Sequence, residues 1–290
     1  MKQRAFKQVD VFTKIPFKGN PVAVVLEAEG LTGEQMQSIA NWTNLSETTF
    51  VLSAQSSQAD YQVRIFTPKG ELPFAGHPTV GTAFALLESN LITPKNGKVI
   101  QECKAGLIEL SVTQAGQTIE RIDFELPKET ATALNVEEAK ILQSILGCQF
   151  QDTQPATIID VGPRWVVAEL ASPEQVLAIT PDFARLTGFE QQHQVTGVCL
   201  FAHYPFGEET AIEVRTFAPS CGVNEDPVCG SGNGAVAAYL RQYPDFSVKE
   251  LSSHQGRVVG RDGELVLSIE QDRILVGGAA VTCIEGELLA

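Results

Sequence analysis

Short runs rich in Val, Ile, Phe and Thr recur along the whole chain, separated by turn residues. Those at 22–26, 50–52, 61–66, 107–112 and 122–126 predict strands bounded by Gly, Pro and Asn. A second set lies at 157–160, 165–170, 198–203, 212–217, 265–269 and 274–276. Two stretches differ. Residues 77–87 and 231–240 are small or apolar on every face, the pattern of a helix buried on all sides. More amphipathic helices are expected over 32–42 and 136–146. The fold class expected is α+β: a curved, mostly antiparallel sheet or barrel around a central helix, present twice.

That doubling is visible in the residues themselves. Val63-Arg64-Ile65-Phe66-Thr67-Pro68 reads almost as Val214-Arg215-Thr216-Phe217-Ala218-Pro219. Pro73-Phe74-Ala75-Gly76-His77 precedes the first apolar helix, and Pro227-Val228-Cys229-Gly230-Ser231 precedes the second. Gly19 to Val25 resembles Gly162 to Ala168, and Ala105-Gly106 has its counterpart in Gln255-Gly256. Matches in the same order predict two pseudo-symmetric halves. Residues 1–118 form the first, with 281–290 returning to it, and 119–280 form the second; the link is expected near 115–130.

Composition narrows the partners. Of 290 residues, 21 are Lys or Arg and 35 are Asp or Glu, giving a formal charge of −14. That balance repels phosphate backbones, so no nucleic-acid partner is expected. No apolar run reaches the ~18 residues of a membrane span, and the start, MKQRAFKQVDVF, has no secretory pattern. A soluble cytoplasmic enzyme or small-molecule binder is the expectation. The six cysteines form no CxxC pair and the four histidines no metal-ligand spacing, so neither a disulfide framework nor a metal site is expected.

Candidate chemistry gathers at the two helix starts. Backbone N–H groups and the helix dipole at Gly76 and Gly230 make each start an anion site suited to a small carboxylate, and glycine permits close approach. If the halves face one another, two such starts grip a carboxylate across a cleft. The halves also differ. Glu47 aligns with Gly197, so a carboxylate before a strand occurs once, while Glu225-Asp226 stands before the second helix start. With His77 and Ser231 these residues make an asymmetric acid/base set. Each also has a plainer reading: Glu47 as a solvated strand end, Asp226 as a turn residue, His77 as a cap. Gly230-Ser231-Gly232-Asn233-Gly234 is not a dinucleotide fingerprint, and Ser231 lacks a nucleophile-elbow context.

Four linked segments resemble the phenazine-biosynthesis PhzF-like family over nearly the whole chain. They are Gly19-Asn20-Pro21-Val22-Ala23-Val24, Leu45-Ser46-Glu47-Thr48-Thr49-Phe50, Gly76-His77-Pro78-Thr79-Val80-Gly81 and Glu225-Asp226-Pro227-Val228-Cys229-Gly230-Ser231. The resemblance implies the diaminopimelate epimerase-like fold and a cofactor-independent isomerase acting on a small carboxylate. It implies Glu47 as the proton shuttle, with His77, Asp226 and Ser231 binding and polarising the substrate. Asn20, Ser46, Gly76 and Gly230 are its implied substrate contacts, and a homodimer its implied assembly. Diaminopimelate epimerase and proline racemase, of similar fold, use two opposed cysteines. Here Cys229 occupies the second helix start and Ala75 the first, so a two-thiol mechanism lacks a base. Cys229 remains a possible reactive thiol, its pKa lowered at a helix N-terminus. The alternatives are a racemase or epimerase pairing Cys229 with a non-thiol base, and a non-catalytic carboxylate-binding protein.

Overall fold

The apolar runs form strands whose inward residues close over one helix in each half of the chain. The computed structural model describes residues 2–205, 207–208, 210–243 and 246–290. Contacts divide the chain into two units, one running to Glu125 and including Gly277–Ala290, the other spanning Leu126–Val276.

In the first unit, β1 (Gln3–Val11) pairs antiparallel with β2 (Asn20–Val25). Helix α1 (Gly33–Thr43) returns the chain so that β3 (Thr48–Leu52) runs parallel to β2. Thr32 and Gln35 close a capping box at its start, and Asn44 ends it in the left-handed region at φ 54°. Strand β4 (Tyr61–Phe66) pairs antiparallel with β3 and with the short β5 (Glu71–Leu72). Helix α2 (Gly76–Glu88) follows, and β6 (Lys98–Cys103) then lies parallel to β4. An antiparallel run of β7 (Gly106–Ala115) and β8 (Thr118–Glu125) keeps residues 118–125 with this unit. The C-terminal strand, Ala280–Leu289 (β18), pairs with β1. Strands β1, β2, β3, β6, β8 and β18 all contact α2, which explains why it is apolar all round. Val80, Phe84, Leu86 and Leu87 are buried there, each worth ~1.5–3 kcal/mol.

In the second unit, β9 (Thr130–Ala133) and helix α3 (Val136–Leu146) precede β10 (Thr157–Asp160), which pairs antiparallel with β9 and with β11 (Arg164–Glu169). Helices α4 (Pro173–Ala178) and α5 (Phe183–His193) lead to β12 (Gly197–His203), parallel to β11. Strand β13 (Ile212–Ala218) pairs antiparallel with β12 and with β14 (Val223–Asp226). Helix α6 (Gly230–Leu240) then brings β15 (Glu250–Gln255) parallel to β13, with β16 (Gly263–Ile269) antiparallel beside it. Strand β17 (Ile274–Gly278) carries the chain out of the unit. Strands β10, β11, β12 and β16 contact α6.

The pairing sequence is therefore the same in both units: antiparallel, parallel, antiparallel, antiparallel, parallel, antiparallel, with the buried helix inserted at the same step. Register fixes the equivalences. Thr48 faces Phe66 as Val198 faces Phe217, and Ile65 faces Leu72 as Thr216 faces Asp226. An internal ion pair repeats with them. Arg64 grips Glu71 through two bonds of 2.8 and 2.9 Å, and Arg215 grips Glu225 through bonds of 2.9 and 2.8 Å. Each guanidinium also lies over a phenylalanine, Phe66 at 5.0 Å and Phe217 at 4.9 Å from the ring centroid. The residues facing α2 and α6 from β6 and β15 match as well: Gln101 bonds Thr79, and Ser253 bonds Asn233.

Candidate active site

The first unit brings Glu47 and His77 together. Glu47 is the residue before β3, and its carbonyl accepts the Ala23 N–H of β2. Inside, Thr82 of α2 donates to the Thr49 hydroxyl at 2.8 Å, which ties the helix to the strand that Glu47 precedes. His77, in the first turn of α2, then places Nε2 3.2 Å from Glu47 Oε2. Both side chains are sheltered, 15% exposed for Glu47 and 8% for His77. Burial pushes the histidine pKa down to about 3, against a hydrogen bond to the Pro21 carbonyl that favours its protonation. A proline has no N–H, so the imidazole donates there. His77 is thus neutral at physiological pH, with its Nε2 turned toward Glu47.

The other predicted residues of this unit fall nearby in sequence and differ in setting. Asn20, next to Pro21, is fully buried at the start of β2, opposite Val11. Ser46 is exposed one residue before Glu47. Ala75 caps α2 with no side-chain bond, and among the described residues no backbone acceptor takes the N–H groups of Gly76 and His77. Those two donors and the helix dipole make the start of α2 an anion-binding geometry. The reason for glycine at 76 is packing: a Cβ there would lie 2.5 Å from the Phe124 ring.

The second unit assembles a different set. Asp226 ends β14 and accepts the Val228 N–H at 3.0 Å. Burial raises its pKa to about 6, against the Val228 bond and a bond from the Cys229 thiol, both of which lower it. Cys229 caps α6, its sulfur accepting the Gly232 N–H at 3.3 Å. The effect expected of a helix start on this thiol is outweighed. Burial, with Asp226 and Cys199 beside it, pushes Cys229 well above the ordinary thiol range. Ser231, half-buried in the first turn, has Oγ 3.6 Å from that sulfur and 3.2 Å from the indole nitrogen of Trp165. Gly230 is buried at the helix start, its N–H and that of Ser231 again without a backbone acceptor among the described residues.

Gln255 and Asn233 hold this turn in place. Gln255 accepts from the Cys229 N–H at 3.1 Å and from Asn233 at 2.7 Å, and donates to the Asp226 carbonyl at 2.8 Å. Neither they nor Trp165 stood out in the sequence, although the repeat aligns Trp165 with Val22 and so marks it as a departure between the halves. Among the described residues no helix is long and apolar enough to cross a membrane, and no group of His, Cys, Asp and Glu is placed to hold a metal ion.

Asp226 has a measurable consequence for stability. Its folded pKa lies above the ordinary value of 3.8, so the native state holds the proton longer than the unfolded chain. Stability is then fully present at low pH and falls as pH rises from about 4 through about 6, by ~1–3 kcal/mol. Asp226→Asn should be more stable than the parent at pH 7.5 by about that amount and indistinguishable at pH 4, measured by urea denaturation.

Comparison with known proteins agrees over the full length. The profile of the Phenazine biosynthesis-like protein family, PhzC-PhzF, matches residues 9–286. The "Antisense-enhancing sequence 1" protein of Schizosaccharomyces pombe is 40% identical, with 99% of each chain covered. The trans-2,3-dihydro-3-hydroxyanthranilate isomerase of Pseudomonas fluorescens is 34% identical, covering 97% of this chain and 98% of its own. A PhzF-family phenazine biosynthesis protein of Bacillus anthracis superposes with a TM-score of 0.89 at 26% identity, all of both chains covered. The repeated sheet-and-helix units, the four motifs along them and these matches lead to one assignment: the chain belongs to the phenazine biosynthesis-like, PhzC-PhzF family.

Proposed function

We propose that this protein is an isomerase of a small carboxylate metabolite, with Glu47 as the single acid and base. The observation that carries the proposal is the sheltered approach of Glu47 Oε2 to within 3.2 Å of His77 Nε2. Glu47 takes a C–H proton from the substrate, the electron pair left behind spreads into the conjugated system, and the same carboxyl returns the proton to another carbon. His77 supports both states, accepting from the carboxylic acid after abstraction and leaving the carboxylate free to act before it. Asp226 and Ser231 bind and polarise the substrate, with Asn20 and Ser46 as further contacts. Donors at Gly76 and Gly230 hold its carboxylate and the negative oxygen that develops.

Racemisation would need a second base acting on the opposite face. Cys229 is poorly suited, since burial beside Asp226 keeps it a thiol. The isomerase name of the Pseudomonas fluorescens relative supplies a first substrate to try. Incubation with trans-2,3-dihydro-3-hydroxyanthranilate in D₂O, followed by NMR, should give an isomer carrying deuterium at one carbon. Saturable binding with neither isomer nor exchange would overturn the isomerase reading and favour a binding protein.

A further inference from the structure

The second unit carries a residue pair at the place where the first unit has Glu47 and His77. Ser231 follows Gly230 as His77 follows Gly76, both in the first turn of the buried helix. Gly197 precedes Val198 as Glu47 precedes Thr48, and the strand pairings equate those positions. Gly197 admits no side chain: a Cβ would lie 2.0 Å from the Phe217 carbonyl oxygen and 2.7 Å from the Trp165 ring. Trp165 faces Gly197 across the sheet, at 3% exposure, and its indole nitrogen is 3.2 Å from Ser231 Oγ. A carboxylate beside an imidazole in one unit is thus replaced by an indole beside a hydroxyl in the other.

The replacement sets a direction. An indole N–H only donates, so Ser231 accepts from Trp165 and its own O–H points elsewhere. The nearest partner is the Cys229 sulfur at 3.6 Å. The Cys229 thiol in turn donates to Asp226. Donation therefore runs from Trp165 through Ser231 and Cys229 to Asp226, and a sulfur is a weak acceptor that a substrate oxygen readily displaces.

We propose that Trp165 is a positioning residue that fixes Ser231 as a hydrogen-bond donor to the substrate, filling with a donor the place where a second base would stand. This rests on the isomerase reading for Ser231's role, but the orientation itself is independent of turnover. It also gives Cys229 a part: it holds the Ser231 hydroxyl at rest and takes no proton from carbon.

The test uses the full-length protein with Trp42→Phe, which leaves Trp165 as the one tryptophan of the two in the sequence. Its indole N–H should give a single downfield, slowly exchanging NMR resonance. Ser231→Ala should shift it upfield and speed its exchange, while Glu47→Gln leaves it in place. For activity, Trp165 is replaced by 3-benzothienylalanine, which keeps the ring volume and removes the N–H, with Trp165→Phe as a second variant. The expected result is a kcat lowered about 3- to 13-fold, the value of one hydrogen bond, at nearly constant KM. In a Ser231→Ala background the same replacement should change kcat less than about twofold.

An indole resonance indifferent to Ser231→Ala overturns the proposal, as does full kcat with benzothienylalanine or a loss that persists undiminished without Ser231. Failure of the isomerase reading looks different: no turnover at all, or Glu47→Gln as active as the parent, with the indole resonance still answering to Ser231.

Discussion

Replacing Arg215 with alanine is expected to destabilise the protein by ~3–5 kcal/mol. The guanidinium is 4% exposed and its partner Glu225 8%, so the substitution leaves a carboxylate buried without its cation. It also removes the bonds from Nη1 to the carbonyls of Val176, Leu177 and Ile179, at 3.1, 3.3 and 2.8 Å, which close the C-terminal end of α4. The repeat supplies an internal control. Arg64 makes the same bidentate pair with Glu71, but the two are 32% and 22% exposed. Arg64→Ala should therefore cost only ~1 kcal/mol. Urea denaturation of both variants reads the contrast, and Arg215→Met with Glu225→Leu should recover much of the loss, because no buried charge then remains. Equal losses at the two sites would mean that burial does not set the worth of this ion pair.

The largest effect on activity is expected at Glu47. Glu47→Gln keeps the shape but gives up the acceptor for a carbon-bound proton, and should lower kcat by ~10²–10⁴-fold with KM little changed. Glu47→Asp, which retains the acid but withdraws it by one methylene from a contact made at 3.2 Å, should lie between. His77→Gln should cost less than Glu47→Gln, since it removes support for the proton and leaves the base. Steady-state kinetics on the substrate found by NMR measures all three. A Glu47→Gln variant that retains parental kcat would reassign the base.

Much of this was legible in the residues. The runs at 61–66 and 157–160 and the helix at 136–146 coincide with β4, β10 and α3, because their apolar periodicity is uninterrupted. Strand β1 was not read, and its burial pattern says why: Arg4, Lys7 and Asp10 are buried polar residues that break the apolar alternation. Two of them find partners distant in sequence, Arg4 in the carbonyls of Glu27 and Glu29 and Lys7 in Glu88 at 2.6 Å. Helix α5 was also missed, since Thr187 and Gly188 lower its propensity and its apolar positions are sparse. What identifies it is its Asp182 cap and the left-handed Gln194 that ends it.

The candidate site was legible where the halves differ. Aligning Glu47 with Gly197 singles out Glu47 as the candidate acid, and aligning the two helix starts brings His77 and Ser231 forward as candidates. Trp165 falls within the apolar run 165–170, where an aromatic reads as core. Only the register that sets it against Gly197, and the distance to Ser231, give it a role. The elevated thiol of Cys229 is likewise a property of burial, which a helix-start motif does not reveal.

The central claim is that one carboxyl, with no second base, moves the proton. It is tested most directly by the face of the substrate to which the new C–H bond forms. Stereospecifically deuterated substrate, converted in H₂O and resolved by NMR, should give product whose new hydrogen lies on the face from which the first was taken, with part of the original deuterium carried over by Glu47. Delivery of a solvent proton to the opposite face, with no deuterium carried over, would contradict it.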